Sequence, residues 1–245
     1  MRGVFSWNGV RSDAFGIDII EYPKDSRPKR KIDRYSVPGR NGDIILAQNA
    51  WENTERTYSI RIGDGDKHSA SDLAGEVAQW ICAPNGYCEL WDDFDQGYYR
   101  MACFTGPFDI EALLMGRYGE TVISFDCKPQ RYIVSGKTPI EIESRKTIRN
   151  QTAYAARPLI RIDRSASGGG GVTIGGTEFT IDSIPAEGLY IDCEEMECYD
   201  GAGNRQNGVV KSSSSEFATL EPGDNVIEFS GKVKKVTITP RWFGI

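Results

Sequence analysis

The sequence predicts a mainly β protein: an N-terminal β-domain covered by one α-helix, then a C-terminal β-sandwich or jelly roll. Three observations carry that prediction. Twenty-seven glycines among 245 residues supply turns throughout the chain. Apolar residues alternate with period 2 along most of the length, and helical periodicity is convincing only once. From Pro139 onward, short alternating runs separated by turns succeed one another without helices, the pattern of a sandwich or jelly roll. A hydrophobic content of 39% and a charged content of 26% are ordinary globular values.

In the N-terminal half the first expected elements are a short strand, a turn at Trp7-Asn8-Gly9-Val10 and an apolar stretch around Phe15 to Ile20. Lys24 to Lys31, with Pro23 and Pro28, reads as an extended basic connection. Pro38-Gly39 and Asn41-Gly42 then pack two turn dipeptides into five residues, with strand-like residues on both sides. Asn-Gly is the preferred filling of a two-residue hairpin turn, because both positions take φ > 0. A strand follows at Thr57–Ile62, with Tyr58, Ile60 and Ile62 on one face.

The helix comes next. Ser69 and Asp72 fit a capping box. Leu73, Val77, Trp80 and Ile81 form one apolar stripe, and Pro84-Asn85-Gly86 stops it. Strands are expected at Tyr87–Trp91, Tyr98–Phe104, Phe108–Leu114 and Thr121–Cys127, with Asp92 to Gly97 as a turn. Pro129 closes the unit, and Ser135-Gly136-Lys137 reads as a linker. This places one domain over residues 1–136 and a second over 137–245.

In the second domain, strands are expected at Pro139–Glu143, Leu159–Ile162, Val172–Ile174, Glu178–Ile181, Gly188–Asp192, Asn225–Phe229 and Val233–Thr239. Gly168 to Gly171, Ser212 to Ser215 and Pro222 to Asn225 are read as loops, the first as a flexible turn. It is not a phosphate loop, since it lacks a Gly-Lys-Ser/Thr ending and no helix follows.

Net charge is −6, with 16 basic against 20 acidic residues in 1–136 and 13 against 15 in 137–245. Neither half has the basic surplus that nucleic-acid binding requires. Lys24 to Arg34 is the exception, six basic residues against Asp25 and Asp33, and reads as a solvated loop or a docking patch for an acidic partner surface. No run approaches 18 apolar residues, so no membrane insertion is expected, and the first residues lack the apolar run of a signal peptide. The six cysteines, at 82, 88, 103, 127, 193 and 198, include no Cys-x-x-Cys. They are expected to be free thiols in a reducing cytoplasm, with Cys103 and Cys127 acting as small hydrophobes.

Catalytic chemistry finds little foothold. His68 is the single histidine and sits in a polar approach to the helix, and multi-histidine metal sites are excluded. Asp64, Asp66 and Asp72 suggest calcium, but His68 and Ser69 occupy positions where an EF-hand loop needs an oxygen ligand and glycine. Asp92, Asp93 and Asp95 beside Trp91, Tyr98 and Tyr99 are the raw material of a glycosidase, yet a tight turn needs polar residues there too. Asp192, Glu194, Glu195 and Glu197 read as a solvated strand edge. Exposed aromatics of a sandwich can bind sugars, which makes Tyr154, Tyr190, Tyr199, Trp242 and Phe243 candidates for core, interface or sugar contacts. No enzymatic activity, metal or cofactor is expected.

The order of these elements resembles the distal tail proteins (Dit) of siphophages. An early Gly16-containing stretch precedes Val37-Pro38-Gly39-Arg40-Asn41-Gly42-Asp43. The Arg56 to Ile62 strand, the Leu73…Val77…Trp80-Ile81 helix and Gly86-Tyr87…Leu90 follow, and then Tyr98-Tyr99-Arg100 and Phe125 to Tyr132. The second half, with Pro158 to Ile162, Ile191-Asp192-Cys193, Leu220 to Gly223 and Asn225 to Gly231, is similar to the family's second domain. The resemblance implies a non-enzymatic protein of the virion tail tip, assembled in the bacterial host cytoplasm. It implies a homo-hexameric ring joining the tail tube protein to tail-tip or tail-associated proteins, with a galectin-like second domain outside the ring. That domain could carry a receptor-binding protein. The alternative is a host-surface adaptor whose second domain binds cell-wall carbohydrate. For the ring, Lys29, Arg30, Lys31, Pro38, Gly39, Arg40, Asn41 and Asp43 are the expected subunit contacts.

Overall fold

The computed structural model describes residues 3–63, 70–108, 111–113, 118–214 and 216–245. His68, Asp64, Asp66 and Ser69, singled out above, lie outside them. The chain divides into two compact units, residues 1–131 with Ile245, and residues 132–244.

The first unit begins with β1 (Phe5–Trp7) and β2 (Val10–Arg11), joined through Asn8 and Gly9 at φ +50° and +80°. This is the two-residue turn expected at Trp7 to Val10, with both central residues left-handed. β3 (Ile17–Ile19), β4 (Arg30–Tyr35), β5 (Ile44–Trp51) and β6 (Thr54–Ile62) precede the helix α1 (Ala70–Cys82). β7 (Cys88–Asp92), β8 (Tyr98–Phe104), β9 (Glu111–Leu113) and β10 (Tyr118–Ile133) follow. The strands form a sheet in the order β2-β1-β7-β8-β10-β6-β3.

α1 covers one face of this sheet, as its apolar stripe predicts. Leu73, Val77 and Ile81 are buried in one cluster with Trp7, Tyr58, Ile60 and Phe125. Phe5 stacks on Tyr58 at 4.8 Å and Phe15 on Trp80 at 4.6 Å. Two indoles fasten helix to sheet: Trp7 Nε1 donates to the Ile81 carbonyl and Trp80 Nε1 to the Trp7 carbonyl, each at 3.3 Å. The first of these supplies a partner for a carbonyl in the last turn, where intrahelical donors run out. Each large apolar side chain buried here stabilises the unit by about 1.5–3 kcal/mol.

Pro129 lies within β10, close to the end of the first unit at Arg131. The ladder between β10 and β6 stops at Cys127 opposite Thr54, so no β6 residue faces the imino nitrogen of Pro129. Ser135-Gly136-Lys137, expected as a linker, belongs to a single 3-10 turn (Val134–Lys137) inside the second unit.

The second unit is a β-sandwich of two five-stranded antiparallel sheets. Its strands are β11 (Ile140–Ile142), β12 (Lys146–Asn150), β13 (Leu159–Arg164), β14 (Gly170–Ile174), β15 (Thr177–Ile181) and β16 (Leu189–Asp192). β17 (Glu197–Asp200), β18 (Val210–Ser212), β19 (Gly223–Gly231) and β20 (Val233–Thr239) complete it, and the short β21 (Phe243–Gly244), part of neither sheet, follows. One sheet runs β11-β20-β13-β16-β17 and the other β12-β19-β14-β15-β18. Ile160, Ile162, Val172, Ile174, Phe179, Ile191, Ile227 and Ile238 form the dry centre between them. β12, β17, β18 and β21 escaped the sequence reading, because Lys146–Asn150 and Glu197–Asp200 carry too few apolar residues and the others are very short.

Three readings in this unit change. Gly168 to Gly171 is not a flexible turn: Gly170 and Gly171 open β14, and a Cβ on Gly170 would lie 2.5 Å from the Ser230 carbonyl. These glycines permit close backbone approach. Gly223 and Asp224, read as loop, already belong to β19, so the strand starts two residues before the expected Asn225, whose side chain bonds Glu221 N and the carbonyls of Glu221 and Gly223. Asp192 to Glu197 is no alternating solvated edge, since Glu194 and Glu195 fall in the turn between β16 and β17. Asp192 itself is buried and receives Arg241 Nη1 and Nη2 at 2.7 and 2.8 Å.

Arg241 sits at φ +56°, a conformation costing on the order of 1–3 kcal/mol in a non-glycine residue, and its fork to Asp192 offsets that strain. Burial disfavours the Asp192 charge, but Arg241 and the N–H groups of Glu195 and Glu194 outweigh it and hold the carboxyl below its ordinary value. A depressed folded-state pKa gives stability that is present above the unfolded value near ~4 and lost as pH falls through the folded value. Asp192→Asn should therefore lower stability at pH 7 and flatten its decline below pH ~4. Urea unfolding followed from pH 7 to 2.5 reads this, and parallel acid limbs in variant and parent would count against it.

Candidate functional site

Among the described residues β4 and β5 pair only with each other, as a two-stranded hairpin apart from the larger sheets. An isolated hairpin of this kind is marginally stable in water. This one also exposes apolar residues on both faces. Tyr35, Ile45 and Leu46 are 53%, 59% and 53% exposed, and Ile44 and Val37 are exposed as well. The register sets Tyr35 against Ile44, Arg34 against Ile45 and Asp33 against Leu46. Tyr35, Ile44 and Leu46 thus share one face and Ile45 the other. Such a surface suits burial against another chain.

The connection between the strands spans residues 36–43, so Asn41-Gly42 is not a two-residue hairpin turn. Instead Pro38-Gly39 makes the first bend: Arg40 N donates to the Val37 carbonyl at 3.1 Å and Gly39 takes φ +79°. Proline followed by left-handed glycine is the type II pattern. Gly42 is left-handed at φ +82°, but Asn41 is not among the positive-φ residues, as a type I′ turn would require.

The expected contact residues fall into two groups. Pro38, Gly39, Arg40, Asn41 and Asp43 are exposed in the tip connection. Lys29, Arg30 and Lys31 stand at the root, about 20 Å away along the strands. Arg30 and Lys31 belong to β4 rather than to the extended connection. At the root the Arg30 guanidinium lies 4.4 Å over the Trp51 ring, and the Lys29 carbonyl accepts from Glu52 N at 2.8 Å. The register shifts between Arg30 and Ile32, with Asn49 opposite at φ +51°, a bulge that adds local twist. The apolar middle of the arm was missed by the sequence reading. Its signal was Ile44-Ile45-Leu46, since three consecutive apolar residues in a strand occupy both faces.

The arm is also the basic part of an acidic protein. Residues 24–43 hold seven lysines and arginines against Asp25, Asp33 and Asp43, while the whole chain carries −6. Few of these charges are spent locally, as between Arg27 and Asp25 at 2.9 Å.

Both ends of the arm are tied to the start of β6. Asn53 Nδ2 donates to Asp126 Oδ2 and the Tyr87 hydroxyl, each at 2.7 Å. On the other side Arg56 Nη1 donates to the Lys24 carbonyl at 3.2 Å. The rest of that guanidinium meets Asp92 Oδ2, from Nε at 3.0 Å and Nη2 at 2.7 Å, and the Tyr58 hydroxyl donates to the same oxygen at 2.6 Å. The pair is dry, with side chains only 5% and 2% exposed. Burial and then the adjacent carboxylate push the Tyr58 phenol well above its ordinary pKa, so it stays a donor.

The carboxylates considered for glycosidase chemistry are all committed elsewhere. Asp92 faces Arg56, Asp93 Oδ2 accepts from Val4 N at 3.0 Å, and Asp95 is gripped by Arg131 at 2.8 Å and Arg100 at 3.1 Å. Burial pushes the thiols of Cys127 and Cys193 up to about 12 and that of Cys198 to about 11, which suppresses their thiolates. Cys103 is only partly buried, contrary to the core role expected of it. Among the described residues no cluster of histidine, cysteine or carboxylates could hold a metal.

Tyr190 lies between Tyr199, stacked at 5.3 Å, and Arg161 at 5.6 Å, and Tyr154 stacks on Phe243 at 5.5 Å.

This arrangement of a helix-covered sheet and a β-sandwich is shared, over nearly the whole chain, with solved structures of phage proteins. The chain is similar to the crystal structure of SPP1 Dit (gp 19.1), presented as a paradigm of the hub adsorption apparatus in phages infecting Gram-positive bacteria. The TM-score is 0.70 at 12% identity, covering 97% of this chain and 98% of that one. A chain of the phage P2 baseplate, activated with calcium, matches with a TM-score of 0.58 at 10% identity over 97% of each chain. The strontium-activated baseplate matches at 0.54 and 10%, over 96% of this chain and 97% of that one. No protein-family model and no curated sequence matches the chain. The likeness foreseen from the order of elements is thus present in the fold.

Asp92→Asn should leave the Arg56 charge buried without its counterion and lower stability by about 3–5 kcal/mol. A loss under ~1 kcal/mol in denaturant unfolding would show the pair to be dispensable.

Proposed function

We propose that the protein is a structural hub of a phage or prophage tail, six copies closing a ring between the tail tube protein and tail-tip or tail-associated proteins. The carrying observation is the β4–β5 arm, apolar on both faces, basic, and unsupported by a sheet of its own chain. Its complement is a second copy. A contact between two different surfaces repeats around an axis, and it closes into a ring when the rotation per subunit is right. A basic arm on an acidic chain favours such a heterologous contact and speeds encounter. The fold shared with SPP1 Dit and with a phage P2 baseplate chain supports a tail location. On this reading the protein acts by assembly, without catalysis.

The carbohydrate-adaptor alternative draws less support, because a sugar needs an open ring face and both faces of Tyr190 are occupied.

Removing residues 37–42, or replacing Arg40 with alanine together with Ile45→Asp and Leu46→Asp, should leave the circular dichroism and melting temperature essentially unchanged. Both variants should sediment as monomers, while the parent chain shows six-fold rings in negative-stain images. Rings at parental yield from the shortened arm would overturn the assignment.

A further inference from the structure

We infer that Arg56 is the positioning residue of the arm: its guanidinium clamps the strap leading into β4 and so sets the direction in which the arm leaves the first unit. The inference rests on the reading of the arm as a subunit contact.

The strap begins after Ile20, whose N–H still bonds the Ser59 carbonyl at 2.9 Å, and ends at Lys29, held by Glu52 N. Pro23 and Pro28 have no N–H to donate, so a regular ladder cannot hold this stretch. Among the described residues five contacts tie it down. Ser59 Oγ donates to the exposed Glu21 carboxylate at 2.9 Å, Tyr22 meets the Phe94 ring edge-on at 4.6 Å, Pro23 is buried, and Asp25 approaches Arg100 at 3.6 Å. The fifth is Arg56 Nη1 on the Lys24 carbonyl. Tyr22 and Asp25 are largely solvated, at 77% and 49% exposure, and contacts of that kind contribute little. The Arg56 bond is charge-assisted and comes from a side chain only 5% exposed, with the other arms of the fork immobilised by Asp92. Arg56 lies only three residues beyond Asn53, the tether of the returning strand. Both ends of the arm are thereby referred to the first turns of β6.

Direction matters because a heterologous contact closes only at one rotation per subunit. A variable angle gives open or mixed assemblies rather than none. A loosened clamp and a missing tip should therefore fail in different ways.

The test uses the full chain with Arg56→Lys. Lysine keeps a positive charge for Asp92 but lacks the planar fork that spans Asp92 and the Lys24 carbonyl. Losing one hydrogen bond to a charged group predicts about tenfold faster amide exchange across residues 21–29, with β7, β8 and β10 unchanged. Electron microscopy should then show open and mixed particles in place of uniform rings. A folded Arg56→Lys chain with parental strap exchange, or with faster exchange but uniformly closed rings, overturns the inference.

Tyr22→Ser with Asp25→Asn alters only the solvated contacts and decides the question even where Arg56→Lys fails to fold. Exchange at 23–26 should stay within about twofold of the parent and the rings should close, as expected when exposed contacts contribute little. Loss of protection in that variant assigns the clamp elsewhere and overturns it. Identical particles from the parent and the arm-shortened chain would instead sink the subunit-contact reading, and the exchange comparison would still decide the clamp.

Discussion

The buried Arg56–Asp92 pair is the constraint on which the first unit and its arm depend. Two unit charges have been taken out of water, which is unfavourable unless every lone pair and proton around them is used. Here nearly all are used. Asp92 Oδ2 accepts from both sides of the guanidinium and from Tyr58, Asp92 Oδ1 accepts from Phe94 N, and the remaining guanidinium nitrogen reaches Lys24. The pair joins β6 to the end of β7, orders the turn that follows and touches the strap leading to the arm. A buried charge pair is weak evidence of net stability but good evidence of geometric specification, since any other arrangement would strand a charge.

Around that fixed point the first unit separates two kinds of surface. One face of its sheet is dry under α1, with Phe5, Trp7, Tyr58, Trp80 and Phe125 in mutual ring contact. The arm is the opposite case, with apolar residues directed to solvent on both faces of a hairpin too small to bury them. A monomer maintained in that form carries surface free energy that burial of the patch can release. The likeness to SPP1 Dit and to a phage P2 baseplate chain is one of fold at 10–12% identity. The case for assembly therefore rests on the arm, and the fold supplies its context.

The sequence was most legible where local rules and packing agree. The Trp7 to Val10 turn, the stripe of α1 and the strands at Tyr98–Phe104 and Val233–Thr239 follow from turn chemistry and periodicity alone. It misled where a local preference was overridden. Asn41-Gly42 invites a two-residue turn, but the strands stop pairing at Tyr35 and Ile44, which leaves eight residues to connect. Pro129 reads as a terminator, yet an imino nitrogen is harmless where the β6 ladder has already ended. Gly168 to Gly171 reads as flexible, yet at Gly169 and Gly170 neighbouring backbone passes too close for a side chain.

By itself the sequence determined the β class, the apolar stripe of the covering helix and a basic segment beside a turn. Those properties are written in composition and in patterns a few residues long. Only the tertiary structure decided that the turn tips an arm with two apolar faces, that Asp92 and Asp192 are buried counterions of Arg56 and Arg241, and that the Tyr190 ring is covered on both sides. The partners in each case lie far apart in the chain: 36 residues separate Arg56 from Asp92, and 49 separate Asp192 from Arg241. No local pattern encodes such a pairing. It exists only once the sheets have formed and excluded water from between those groups, and the arm is exposed for the complementary reason that, among the described residues, no strand outside it pairs with β4 or β5.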